Sequence, residues 1–235
     1  VIHGINILVS ELVIRDRDPM RKSFFRFSAI FSNCGFMGYP LLAALMGDMG
    51  LFYGSAYNLV FTTLLWTAGL SYLQHRRGPL QLRKLILNPG IIGMALGMAA
   101  VFFEIQVPDF VLKPLSMISQ VTSPLALVFI GSVIRNMDLK TITLGRDLYA
   151  ALAMRFVVVP AACVVFLNLV PMPKEMKEVF FMLSSMPAMA QMGIMARQYD
   201  SDYEFACTVI TVTTLISMVT IPVFMLLMQQ FAFFA

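Results

Sequence analysis

The stretch Phe31-Ser32-Asn33-Cys34-Gly35-Phe36-Met37-Gly38-Tyr39-Pro40 decides the fold of this chain, because it is built to interrupt a helix where interruption is costly. It sits inside residues 27–47, which carry no charge. Pro40 cannot donate a main-chain hydrogen bond and crowds the carbonyl of Phe36. Gly35 and Gly38 weaken the same turns. In hydrocarbon, main-chain groups freed by such a break must be satisfied by protein or by a water-lined cavity, so this break is expected to face a cavity. The stretch Ser184-Ser185-Met186-Pro187-Ala188-Met189-Ala190-Gln191-Met192-Gly193 repeats the device, with Pro187 freeing the carbonyl of Leu183. If each proline starts a half-helix, two N-terminal ends point at the midplane, each with unpaired N–H groups and about half a positive charge. Such a place suits a carboxylate without needing Lys or Arg.

The rest of the chain supports a membrane setting. Of 235 residues, 59% are hydrophobic and 13% charged, well short of the charge a soluble surface needs. Residues 27–47, 49–74, 85–103, 114–134, 179–196 and 205–235 are free of Asp, Glu, Lys and Arg, and 148–173 hold only Arg155. A bilayer core takes about 20 apolar residues in helix, so these stretches read as spans at 24–47, 51–73, 86–104, 110–134, 147–170, 177–198 and 203–234. Residues 1–14 read as the end of a further, partial span, and the chain is expected to be a fragment lacking its N-terminus. A cleaved signal peptide fits poorly, since no basic region precedes 1–14 and no small-residue cleavage site follows.

The net charge of +4 does not indicate nucleic acid, because the basic residues sort by loop. Arg15, Arg17, Arg21, Lys22 and Arg26 precede the first complete span. Arg76, Arg77, Arg83 and Lys84, then Arg135, Lys140 and Arg146, then Arg197 occupy alternate loops. The intervening loops hold none at 47–51, Lys113 alone, and Lys174 with Lys177. This positive-inside pattern puts 15–26, 75–84, 135–147 and 197–204 in the cytoplasm and the C-terminus outside. The expected location is a cell membrane, with a bacterial inner membrane preferred.

A faint self-similarity runs at an offset of about 151 residues. It aligns Ser32-Asn33 with Ser184-Ser185, Tyr53 with Tyr203, and Thr62-Thr63-Leu64-Leu65 with Thr213-Thr214-Leu215-Ile216. The offset crosses the membrane an odd number of times, so the two copies are inverted, an arrangement that puts substrate at the repeat interface in secondary transporters.

The residues around the first break resemble the auxin efflux carrier family, which includes plant auxin exporters and bacterial malate and malonate carriers. The resemblance runs through Ser32-Asn33-x-Gly35-Phe36-x-Gly38-x-Pro40-Leu41, Asn88-Pro89, Pro187, Ala196-x-x-Tyr199 and Thr220-x-Pro222. It implies an all-α polytopic membrane protein of inverted five-helix repeats with two interrupted crossing helices, the first repeat incomplete. Residues 1–73 would be the last three helices of the first repeat, 86–134 scaffold helices of the second, and 147–235 its transport-domain helices. An elevator-like movement is implied as well. Asn33 and Pro40, with Pro187, match the crossing motif.

The candidate substrate-binding residues are Asn33, Gly35, Gly38, Pro40, Pro187, Gln191, Asn58 and Thr62. Gln191 comes from the residues alone: it lies one turn past Pro187 on the same face. Asn58, Thr62 and Thr63, with Thr213, Thr214 and Ser217 at the related places of the last span, either line the cavity, bond to their own helices or hold helices together. Gln120, Thr122, Ser123 and Pro124 mark an irregular turn or a scaffold feature. Arg155, the one charge within a span, is either functional or snorkels to the interface about two turns away. Cys34, Cys163 and Cys207 lack metal spacing and read as packing. No cofactor is expected. The partners are a small organic anion and the lipid bilayer, with coupling to H+ or Na+ and a homodimer left open. An enzyme is disfavoured: neither His3 nor His75 lies in a complete span, no span buries a pair of Asp residues, and HExxH is absent. A non-transporting sensor or assembly protein and a channel remain the alternatives.

Overall fold

The computed structural model describes residues 3, 4, 6, 7, 19–69, 87, 89–136, 145–198, 202–231 and 234. Most of the basic loops that set the topology, together with His75, Asn88 and Tyr199, lie outside the described residues. Among the described residues the chain is helical, without a strand longer than a single bridge.

Helix α1 (Pro19–Ile30) stops at an extended break, and a π turn (Cys34–Gly38) leads into α2 (Tyr39–Leu64) and a second π turn (Leu65–Gly69). α3 (Pro89–Phe102) opens on its proline, where the missing N–H is harmless. α4 (Asp109–Asn136) follows. α5 (Arg146–Leu169) contains a π turn at Met154–Val158. α6 (Lys174–Ser184), α7 (Gln191–Gln198) and α8 (Tyr203–Phe231) complete the order.

α2 is two helices folded back on each other. Gly47 takes φ 56°, ψ −140°, a left-handed conformation that glycine adopts without a Cβ penalty. Residues 42 and 54 would lie about 18 Å apart in a straight helix. Instead, a Cβ on Gly54 would stand 3.0 Å from Leu42 Cδ1, and a Cβ on Gly50 2.7 Å from that of Met46. The spans expected at 24–47 and 51–73 are thus separate arms joined at a one-residue hinge.

Among the described residues, three helical stretches are long and apolar enough to cross a membrane: Cys34–Gly69, folded at Gly47, Arg146–Leu169 and Tyr203–Gln230. The packed centre is formed by α1, α2 and α5 to α8, with Phe27, Phe31, Leu42, Leu167, Phe181 and Leu183 fully enclosed. α3 and α4 turn apolar side chains outward: Val101, Phe102 and Phe110 are about four-fifths exposed, as suits a lipid-facing surface. α4 remains helical across Pro114 and Pro124, so the irregular turn expected near Gln120 does not form. Gln120 Nε2 instead donates to Ser116 Oγ one turn back.

Candidate functional site

The two interrupted segments meet. Ser32 and Ala188 form an antiparallel bridge. The Asn33 N–H donates to the Pro187 carbonyl at 2.8 Å, and the Met189 N–H to the Phe31 carbonyl at 3.3 Å. Each break thus satisfies groups that the other leaves open, which is the requirement for non-helical backbone at membrane depth.

The breaks also differ from the proline-centred expectation. The chain leaves helical geometry at 31–33, ahead of the Gly35–Pro40 motif, and resumes in a π turn closed by Met37 and Gly38 N–H groups on the Asn33 carbonyl. Pro40 sits in the first turn of α2, where the π turn accommodates its missing donor. Pro187 does not start a half-helix. It lies in the bridge and supplies a carbonyl, and α7 begins at Gln191.

Two neighbouring helices pin the bridge. Thr213 Oγ1 on α8 accepts from the Ala188 N–H at 3.2 Å and donates to the Val209 carbonyl at 2.6 Å. From α5, the Arg155 guanidinium reaches the ends of both interrupted helices. Its Nε donates to the Met186 carbonyl at 2.5 Å, Nη2 to Ser184 at 2.6 Å, and Nη1 to Ala29 at 3.0 Å and Ser28 at 3.4 Å. Arg155 is 1% exposed, so it does not snorkel. Its charge is balanced by the negative ends of two helix dipoles.

On the side where helices begin, a cavity of about 450 Å³ opens, within the range of small-molecule sites. Ser32, Asn33, Gly35, Phe36, Asn58, Phe61, Thr62, Leu65, Trp66, Met189 and Gln191 line it. The structure therefore brings together Asn33, Gly35, Asn58, Thr62 and Gln191 of the expected residues. Gly38, Pro40 and Pro187 are not on its wall. Gly38 is buried where a Cβ would lie 2.5 Å from Leu183 Cδ2, so it permits close packing of α6 on the π turn. Thr63 bonds the Leu59 carbonyl of its own helix. Ser217 likewise donates to Thr214.

The wall combines polar and aromatic side chains. Asn33 Nδ2 is buried without a hydrogen-bond partner. An unmatched buried donor costs about 1–3 kcal/mol, so such groups invite a ligand or water. Asn58 Oδ1 accepts weakly from the Cys34 thiol at 3.9 Å. Phe36, Phe61 and Trp66 provide the apolar surface. Among the described residues, none that lines the cavity carries a charge. The fixed polarity therefore comes from the N–H groups that open the π turn and α7, a positive end in each case.

Sequence reasoning left open the role of Arg155 and passed over Trp66 and Met189 as wall residues. Pro160 was a usable signal for α5. A π turn followed by X-Pro occurs at both Cys34–Gly38 with Pro40 and Met154–Val158 with Pro160, so the proline marks a local widening on the helix that carries Arg155.

Crossed helix breaks beside a half-apolar cavity, packed among helices of membrane-spanning length, are features of a polytopic membrane protein. A family model described as "Membrane transport protein" matches residues 1–225, and the chain belongs to this family, that of the auxin efflux carriers. It is also 28% identical over 200 residues to an uncharacterized transporter of Methanocaldococcus jannaschii. That match covers 82% of this chain and 64% of the relative, so the chain spans somewhat less than two thirds of the relative's length.

Proposed function

We propose that this protein is a secondary transporter that moves a small organic anion across the membrane by alternating access, with the crossing cavity as its substrate site. The observation that carries this reading is the cavity at the crossing, lined by Asn33, Asn58, Thr62 and Gln191 where two helices begin. An amide NH2 and free N–H groups are donors and want an acceptor. With no carboxylate among the described lining residues, a cationic substrate would lack a counter-charge there, whereas a carboxylate meets donors and two positive helix ends. Trp66, Phe61 and Phe36 suit the body of the acid. The ligand class is thus a mono- or dicarboxylate such as malate or malonate, or an auxin-like aromatic acid.

Crossed breaks also suit a moving part. The bridge holds few residues and is braced by α5 and α8, so α1, α2 and α5 to α8 can travel as one body past α3 and α4 in an elevator-like cycle. The reading includes inverted repeats, a multi-pass arrangement with the C-terminus outside, and no enzymatic step.

Exchange of labelled malate, malonate and indole-3-acetate by the protein in liposomes tests it. Saturable exchange stimulated by substrate on the opposite side, and reduced in Asn33→Ala and Gln191→Ala, is expected. Flux that does not saturate would indicate a channel. Folded protein that exchanges none of these acids would sink the organic-anion reading.

A further inference from the structure

Interrupted helices leave two kinds of ends at the crossing. The starting ends face the cavity. The finishing ends, of α1 and α6, present main-chain carbonyls without helical partners, and two such ends brought together repel through their like partial charges. All four hydrogen bonds of Arg155 go to carbonyls of these finishing ends or of the breaks that follow them: Ser28 and Ala29 on one side, Ser184 and Met186 on the other. The guanidinium is planar with donors spread on three nitrogens, which lets one side chain span both ends; an ammonium is a point charge.

We propose that Arg155 is a resident cation of the crossing: a positioning residue that fills a carbonyl cage shared by both interrupted helices and so holds their starting ends over the cavity. The proposal rests on the transport reading for its functional consequence but not for the cage itself. The cage is a cation site in its own right, matched to a guanidinium. Its occupant is delivered by α5, a helix that contributes nothing to the cavity wall. The two halves of the crossing are then complementary: a fixed cation on the finishing ends, and room for an exchangeable anion beside the starting ends.

The test removes the side chain and returns its head group. In Arg155→Ala, millimolar guanidinium is expected to raise the melting temperature in detergent while leaving unmodified protein unchanged or lowering it. Equal concentrations of NaCl, which lacks the shape, or urea, which lacks the charge, should not reproduce the rise. A melting temperature that follows the unmodified protein in guanidinium would overturn the cage, whether or not the protein transports anything. In liposomes, Arg155→Lys is the milder variant, keeping a charge but not the fork. Its KM for the exchanged acid should rise about tenfold, equivalent to losing one good hydrogen bond's worth of alignment, with guanidinium partly restoring Arg155→Ala. A lowered maximal rate at unchanged KM would reduce Arg155 to a folding role and overturn its positioning of the site. If unmodified protein exchanges no acid, the transport reading fails, and the melting experiment still decides the cage.

Discussion

Asn33 and Pro187 are joined by a main-chain hydrogen bond of 2.8 Å across the crossing, so an asparagine of the cavity lining is fixed through its backbone by the break of the opposite helix. Side-chain freedom and backbone fixation in one residue is the arrangement a preorganised site needs, because a donor then meets its ligand without ordering costs.

Replacing that amide should damage binding more than folding. Asn33→Ala removes an unpartnered buried donor, so the melting temperature should hold or rise slightly. A hydrogen bond to a charged ligand is worth about 1.5–3 kcal/mol, so the KM for the transported acid should rise roughly ten- to a hundredfold. Asn33→Asp, of the same shape but anionic and without the donor, should be worse than Asn33→Ala. Transport kinetics beside thermal melting check both variants, and an Asn33→Asp protein that outperforms the alanine variant would mean the site does not favour anions.

The two motif glycines should separate packing from binding. A Cβ on Gly38 would meet Leu183 Cδ2 at 2.5 Å in a buried contact, so Gly38→Ala should destabilise by about 1–3 kcal/mol. A Cβ on Gly35 meets nothing within 4 Å and would project at the cavity wall. Gly35→Ala should therefore melt near the unmodified protein and show its effect on substrate KM alone.

Thr213 supplies the bridge with an acceptor for the Ala188 N–H. Thr213→Val keeps the shape but leaves the buried Ala188 N–H unmatched, at a cost of about 1–3 kcal/mol. Thr213→Ser retains the oxygen and should recover most of the loss. Equal melting temperatures for the Val and Ser variants would show that the bond contributes little.

Trp66 should sort substrates. A ring lining the cavity gains contact area and offset stacking with an aromatic acid, worth about 0.5–1.5 kcal/mol beyond area, and little with a small diacid. Trp66→Ala should raise the inhibition constant of indole-3-acetate several-fold more than that of malonate. A uniform change for both acids would place the aromatic body elsewhere.

What the sequence by itself determined is the setting and the interruption. Charge-free runs of span length can be satisfied only by a bilayer, and glycine, proline and amide residues within them can be satisfied only by a cavity or by protein. This logic made Asn33, Gly35, Asn58, Thr62 and Gln191 legible as a group, and it placed a break near Pro40 and another near Pro187. It could not locate the breaks to the residue. A proline says where a helix lacks a donor, but a π turn can absorb that lack, as it does ahead of Pro40, and the chain then yields at 31–33 instead. Tertiary structure alone decided that Ser32 lies opposite Ala188, and that Arg155 turns inward to bind Ser28 and Ala29, 127 and 126 residues away. The physical reason is that every partner in these contacts is a main-chain N–H or carbonyl. Nearly all residues carry both, so nothing in the side-chain sequence marks which of them a fold will bring together.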